Sequence, residues 1–244
     1  MAIKFNSNLT IIYEKLYDFF HACIDQKQRN QNGYEQIYEI IEKLGGWPML
    51  DGRSWNQTDY RWENAYVIDA QLEQEYLIGI EPIIDFRNTS KIIIKLAPPY
   101  KTSENIINLM GRNSSVNGDP IMEQTKRLYL KMLKILRQNR RPQENQTDDQ
   151  LNDQELSAAI DELFDIQLRL QDFASQKHSM SYYQNNYEKH LMNISTIKSN
   201  IDFDISYILE NIFGRTFTDD EVLFVPDIEY LIHLNPLLAA TPKQ

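Results

Sequence analysis

The chain has 244 residues, 42% of them hydrophobic, with 35 acidic against 25 basic side chains and a formal net charge of −10. Such a balance argues against a nucleic-acid binder, which carries a basic face, and the aromatic and branched content argues against disorder. A single cysteine, Cys23, rules out an internal disulfide framework and a cysteine-rich metal site; composition alone predicts a buried free thiol in a reducing compartment.

The N-terminal stretch MAIKFNSNLTIIYEKLYDFF is broken by Lys4, Asn6, Asn8, Glu14 and Lys15. It is predicted to be neither signal peptide nor membrane span, and no later window comes near 18 apolar residues. Leu9, Ile12, Tyr13, Leu16, Phe19, Phe20 and Cys23 recur at three and four, one helical face. Gln26 to Asn32 reads as a polar loop. A short helix follows, with Tyr34, Ile37, Tyr38, Ile41 and Leu44 on one side; Gly45-Gly46 stops it, and Pro48 forbids its resumption. The stretch from Leu44 to Val67 holds Trp47, Trp55 and Trp62, the chain's only tryptophans. It reads as a packing corner with Trp47 and Trp62 buried around it.

Thr58 or Asp59 is the expected cap of a helix running to about Leu77. Two isoleucine-rich strands, YLIGIEPIIDF and KIIIKLAPP, then flank a short loop from Arg87 to Ser90. A helix begins near Pro120 with Met122, Thr125, Leu128, Tyr129, Met132, Leu133 and Leu136 on its inner side, and Pro142 ends it. Capping-box spacing at Thr147 to Gln150 opens a long helix to about Ala174, with Leu156, Ala159, Ile160, Leu163, Phe164, Gln167, Leu170 and Phe173 facing inward. Helices near Ser181–Leu191 and Asp204–Phe213, a strand EVLFVP, and a helix from Asp227 to Leu238 complete the chain.

Motif chemistry is sparse. His21, His178, His190 and His233 never form H-E-x-x-H; His178 and His190 read as surface residues and His21 as a rim residue. No G-x-S-x-G, Walker A or G-x-G-x-x-G motif occurs, and Cys23 and His21 point to different sides of one helix. The basic block Lys126, Arg127, Lys131, Lys134, Arg137, Arg140 and Arg141 precedes an acidic run from Glu144 to Asp165; the two read as attracting faces of adjacent antiparallel helices. Six N-x-[ST] sequons start at Asn8, Asn56, Asn88, Asn113, Asn145 and Asn193, candidate glycosylation sites that favour a secretory ancestry.

Taken in order, these segments resemble the N-terminal region of the neprilysin and endothelin-converting-enzyme family of zinc metallopeptidases. KLYDFFHACID resembles the family's helix ending in LY-x-x-C, and IIEKLGGWPML its LGGWP signature, here Gly45, Gly46, Trp47 and Pro48. TDYRWENAYVIDAQL, IIDFRNTSKIIIKLAPP, SMSYYQNNYE and DEVLFVPDIEYLIHLNPLL resemble later segments, so the likeness covers about Ile11 to Leu238. YKTSENIINLMGR departs from the family's segment after the proline, which removes support for a cleft-lining role there.

The resemblance implies a mainly α fold with one or two small β-hairpins, a minor α+β component. It implies that residues 1–177 form the N-terminal part of a catalytic lobe and 178–244 the start of a mainly helical second lobe. It implies peptide substrates, no nucleic acid, and an extracellular or membrane-anchored ectodomain, although no signal or membrane segment is read here. Zinc belongs to complete members; this chain is expected to hold no catalytic residue and no metal ligand, with the missing lobe or another peptidase chain as partner. In the family the cysteine at the Cys23 position pairs with a distant downstream cysteine not found here. The alternatives are a stand-alone pseudo-enzyme module binding peptide or protein, and a non-catalytic helical scaffold.

Overall fold

The computed structural model describes residues 11–56, 58, 60–72, 76–99, 120–140, 151–174 and 180–241. The chain divides into two compact units, residues 1–40 and 41–244. The first unit holds α1 (Ile11–Ile24) and α2 (Gln26–Asn32) and the start of α3 (Glu35–Lys43). α1 follows the expected periodicity, yet none of its residues is buried: Ile12 is 72% exposed and Phe19 69%. Cys23 is exposed as well, against the expectation of a buried thiol.

α2 corrects the reading of 26–32 as a loop. Its sequence, QKQRNQN, is polar but rich in straight-chain residues that lose little freedom in a helix. Asp25 supplies the start, its Oδ1 accepting the Gln28 N–H at 2.9 Å.

The second unit begins within α3 and continues through α4 (Pro48–Asp51), a 3₁₀ turn at Gly52–Ser54, and α5 (Trp62–Gln71). Helix α5 starts later than expected, with Arg61 at the N-cap and no side-chain cap bond, and ends at Gln71. Of the predicted caps, Asp59 lies outside the described residues and Thr58 sits in a turn four residues before the helix. Strands β1 (Gly79–Ile84) and β2 (Ile92–Ala97) form the expected antiparallel hairpin, with Gly79 opposite Ala97 and Ile84 opposite Ile92.

Helix α6 (Pro120–Asn139) buries Met122, Leu133 and Leu136. Leu128 and Met132, expected on the same face, are 55% and 52% exposed; the packed stripe keeps Tyr129, as expected, and takes Leu130. Pro142, expected to end this helix, lies outside the described residues. Helix α7 (Asp153–Ala174) starts beyond the expected capping box at Thr147–Gln150, which also lies outside them. The working box is Asn152 with Glu155: Asn152 Oδ1 accepts the Gln154 and Glu155 N–H groups at 2.9 and 3.0 Å, and Glu155 Oε2 accepts the Asn152 N–H at 2.8 Å.

The expected helix at Ser181–Leu191 is three elements: α8 (Met180–Asn185), a 3₁₀ turn at Tyr187–His190 and strand β3 (Leu191–Asn193). Helices α9 (Ile194–Asn200) and α10 (Ile205–Phe213), strand β4 (Val222–Phe224) and helix α11 (Ile228–Ala240) follow. Asn193, Asp204 and Asp227 cap α9, α10 and α11 through bonds to the Thr196, Tyr207 and Tyr230 N–H groups.

The two antiparallel pairs are knitted into one sheet of order β1-β2-β4-β3, joined where β2 and β4 run parallel at Lys95 and Phe224. The sheet therefore unites strands from both sides of Lys177. The architecture is mainly helical with a minor sheet. Its largest core gathers Ile78, Leu96, Ile194, Ile205, Ile208, Leu209 and Leu234, all fully buried. Burying each such side chain contributes roughly 1.5–3 kcal/mol. Two phenols close polar gaps at its edge, Tyr66 donating to the Ile78 carbonyl at 2.5 Å and Tyr230 to the Leu77 carbonyl at 2.6 Å. Burial pushes the Tyr230 phenol well above its ordinary pKa, so it remains a donor. A second core joins α4, α6 and α7 through Met49, Met122, Leu133, Leu156, Ile160 and Phe164.

Candidate functional site

The corner after α3 carries many specific interactions. α3 ends in a Schellman motif: the Gly45 N–H donates to the Glu42 carbonyl at 3.0 Å and the Gly46 N–H to the Ile41 carbonyl at 2.9 Å. Both glycines have positive φ, 98° and 86°. At Gly46 space also decides: an added Cβ would sit 2.8 Å from Asp51 Oδ2 and 2.9 Å from Trp55 Cδ1. Pro48 then opens α4 at its first position, where the missing N–H is no loss. The proline both bars continuation of α3 and starts the next helix, which corrects the reading of it as a stop alone.

Asp51 locks this turn. One carboxylate oxygen accepts the Trp47 N–H at 2.6 Å and the other pairs with Arg140 at 2.6 Å. Trp55 donates its indole N–H to the Gly45 carbonyl at 2.8 Å and meets Tyr60 edge-on at 5.3 Å. Arg137 reaches across from α6, giving two bonds to the Met49 carbonyl, at 3.1 and 2.6 Å, and one to the Leu151 carbonyl at 2.7 Å. Trp62 stacks edge-on against Phe203 at 5.3 Å. Trp47, Trp55 and Trp62 are all half-buried and line one cavity of about 500 Å³ with Tyr60, Arg61 and Glu63. The chain turns here as expected, but Trp47 and Trp62, expected to be buried, are half-buried along an open cavity that periodicity could not reveal.

Ion pairs join the basic block to acids of α7: Lys126 pairs with Asp161, and Lys134 with Asp153 at 2.6 Å. The opposed helix faces attract, as their charges suggest. Among the described residues no group of three or more His, Cys, Asp or Glu could hold a metal ion. The described donor set therefore does not fit a zinc site. His178 lies outside the described residues. His190 is not a surface histidine: it sits half-buried against Tyr183 at 5.7 Å and Phe224 at 6.1 Å. His21 lies on the exposed α1 against Tyr17, and His233 stacks on Phe173 at 5.0 Å.

Three sequons fall among the described residues. Asn56 and Asn88 are exposed, each accepting an N–H from the residue two positions on, Thr58 at 3.0 Å and Ser90 at 3.1 Å. Asn193 is half-buried as the cap of α9. Asn8, Asn113 and Asn145 lie outside the described residues.

A polar anchor that motif reading missed is Asp85, at the root of the hairpin loop and only 5% exposed. It accepts the Arg87 backbone N–H at 2.9 Å and a two-pronged guanidinium contact at 3.1 and 2.8 Å. The Arg87 hydrogen bonds hold its carboxyl at about 2, against the opposing effect of burial. Asp85 and Arg87 are two apart in an isoleucine-rich hairpin, which was the available signal.

The described region is a helical frame with a small mixed sheet and a tight Gly-Gly-Trp-Pro corner. Comparison with known proteins supplies the family. The N-terminal model of the family described as peptidase family M13 matches residues 4–244. Neprilysin-21 of Caenorhabditis elegans is 21% identical over 234 residues, 93% of this chain and 28% of that protein. Endothelin-converting enzyme-like 1 of Rattus norvegicus is 22% identical over 234 residues, 94% of this chain and 28% of that protein. Neprilysin-1 of Trittame loki reaches 31% over 109 residues, 42% of this chain and 13% of that protein. The cryo-EM structure of the Mycobacterium tuberculosis zinc metalloprotease ZMP1 in its open state shares the fold, with a TM-score of 0.55 at 9% identity over 89% of this chain and 29% of that one.

The chain belongs to peptidase family M13. It spans about 28% of the length of the full-coverage relatives it matches. No helix among the described residues is long and apolar enough to cross a membrane.

Proposed function

We propose that this chain is the N-terminal scaffold of a neprilysin-like zinc metalloendopeptidase that cleaves peptides outside the cell or at its surface. The carrying observation is the family match from residue 4 to residue 244. In this reading residues 1–177 contribute to the catalytic lobe and 178–244 open the helical lobe, with the four-stranded sheet as their shared seam. The Gly-Gly-Trp-Pro corner sets chain direction and packing. In this reading zinc ligation and activation of water fall to residues other than the described ones, which offer no ligand set; the sequence carries no H-E-x-x-H. Exposed Asn56 and Asn88 are the glycan carriers that fit a secreted location.

The test is zinc content and peptide hydrolysis by the purified 244-residue chain, with and without chelator. The expected result is no stoichiometric zinc and no cleavage above background. Chelator-sensitive cleavage by this chain alone overturns the reading. A cooperative melt of a strictly monomeric chain favours a stand-alone scaffold or binding module instead.

A further inference from the structure

Helix α1 carries a broad apolar face and no buried residue. Ile12, Leu16, Phe19 and Cys23 recur at four, three and four positions, the spacing of a seam that packs along another helix. Ile12 is 72% exposed, Leu16 61% and Phe19 69%, with Tyr13 and Phe20 exposed beside them. A helix of 14 residues standing alone is marginal in water, so a partner on this face stabilises it.

The charges of α1 say which partner fits. Its polar side carries Glu14, Lys15, Asp18 and His21, and among the described residues Glu14, Lys15 and Asp18 make no ion pair. Two acids against one lysine do not suit an anionic lipid surface, which selects helices rich in Lys and Arg. They do suit a second α1. Lys15 and Asp18 flank one edge of the apolar face, and Glu14 and His21 flank the other. When two such helices cross antiparallel near Tyr17, each edge meets its own copy with the sequence reversed. Lys15 of each copy then comes alongside Asp18 of the other, and Glu14 alongside His21, each within about 1.5 Å of level. A parallel pair also opposes unlike charges, but it sets like ends of the two helix dipoles side by side.

We infer that α1 is a self-docking face: two copies of this chain pair through antiparallel α1 helices in a two-fold dimer. The Ile12, Leu16 and Phe19 seam closes on itself, and the two charged edges fix its register. The pairing carries the two Cys23 residues to opposite ends, roughly 18 Å apart along the axis, and brings the two Leu16 side chains together at the crossing.

Sedimentation equilibrium of the full chain is expected to show a reversible monomer–dimer step with a Kd on the order of 10 μM. Phe19→Ser should weaken it about ten-fold. Lys15→Asp should weaken it about five-fold, and adding Asp18→Lys should restore it, since the exchanged charges pair again across the two-fold axis. Orientation is read by mild oxidation with copper phenanthroline, because a disulfide forms only between Cα atoms within about 7 Å. The Leu16→Cys, Cys23→Ser variant should cross-link into dimers, and the parent chain with Cys23 should not. A monomer at every concentration, or a dimer indifferent to Phe19→Ser, overturns the inference. So does association that climbs past the dimer without a plateau, the behaviour of a face made for another protein. Saturable binding to vesicles of phosphatidylcholine and phosphatidylserine in place of the dimer overturns it as well. Cross-linking through Cys23 but not through Leu16→Cys overturns the antiparallel pairing.

Discussion

Helices α1 and α10 are both short, apolar and amphipathic, and they meet opposite fates. In α10, Ile205, Ile208 and Leu209 are fully buried in the main core, while in α1 Ile11, Ile12, Leu16 and Phe19 are each more than 60% exposed. The difference lies in what surrounds them. α10 is capped by Asp204, closed by Gly214 in the left-handed conformation, and enclosed by the sheet and α5. An apolar stripe therefore states that a helix has something to cover, not that the cover is present.

Substitutions can break this contrast. Leu209→Ala in α10 is expected to cost about 3 kcal/mol through lost burial and a residual cavity, read as a shift in urea midpoint with m unchanged. The corner comes next: Gly46→Ala is expected to cost about 2 kcal/mol from its positive φ and the crowding by Asp51 and Trp55. Gly33→Ala, also at positive φ but with open space, should cost about 1 kcal/mol. If the two glycines respond alike in the same denaturation series, crowding at the corner is not the cause.

Asp85 tests the hairpin. Its folded pKa is depressed, so its stabilising contribution is fully present above the unfolded value of about 3.9 and is lost as pH falls through about 2. Asp85→Asn is expected to cost about 1 kcal/mol at neutral pH, discounted because Arg87 is half exposed. Urea unfolding of the variant and the parent chain should converge as pH approaches 2; a gap that persists there contradicts the pairing. The smallest effect belongs to α1. Phe19→Ser should change stability by under about 0.5 kcal/mol while lowering self-association in sedimentation. A large loss of stability would show that α1 is covered after all.

Residue patterning made the long periodic helices and the isoleucine hairpin legible, because burial acts there over many residues. It misread α2, whose polar residues carry helix propensity without a stripe. It missed β3, since three residues cannot display a period of two, and it placed the α7 cap too early because Thr147 and Asn152 both begin plausible boxes. Gly45, Gly46, Trp47 and Pro48 announced a corner, but Asp51, Arg137 and Arg140, which hold it, carry no local signature. Their roles depend on partners up to 90 residues away, at Leu50 and Arg140. The metal question was legible from spacing alone only as a missing motif. Asp85 escaped because an ion pair two residues apart in a loop looks like any surface charge.

The single parallel bridge between Lys95 and Phe224 has a consequence in time. These partners lie 129 positions apart, so the sheet is a late, non-local event in folding. At roughly 5–20 residues per second, a ribosome needs about 6–26 s between making one partner and the other. Throughout that interval the β1–β2 hairpin holds an open strand edge bearing Ile92 and Ile94, a template for pairing with another nascent copy. Slower synthesis over residues 98–224 is therefore expected to raise the share of chains whose hairpin edge pairs with another copy, read as aggregate in a translation-rate series.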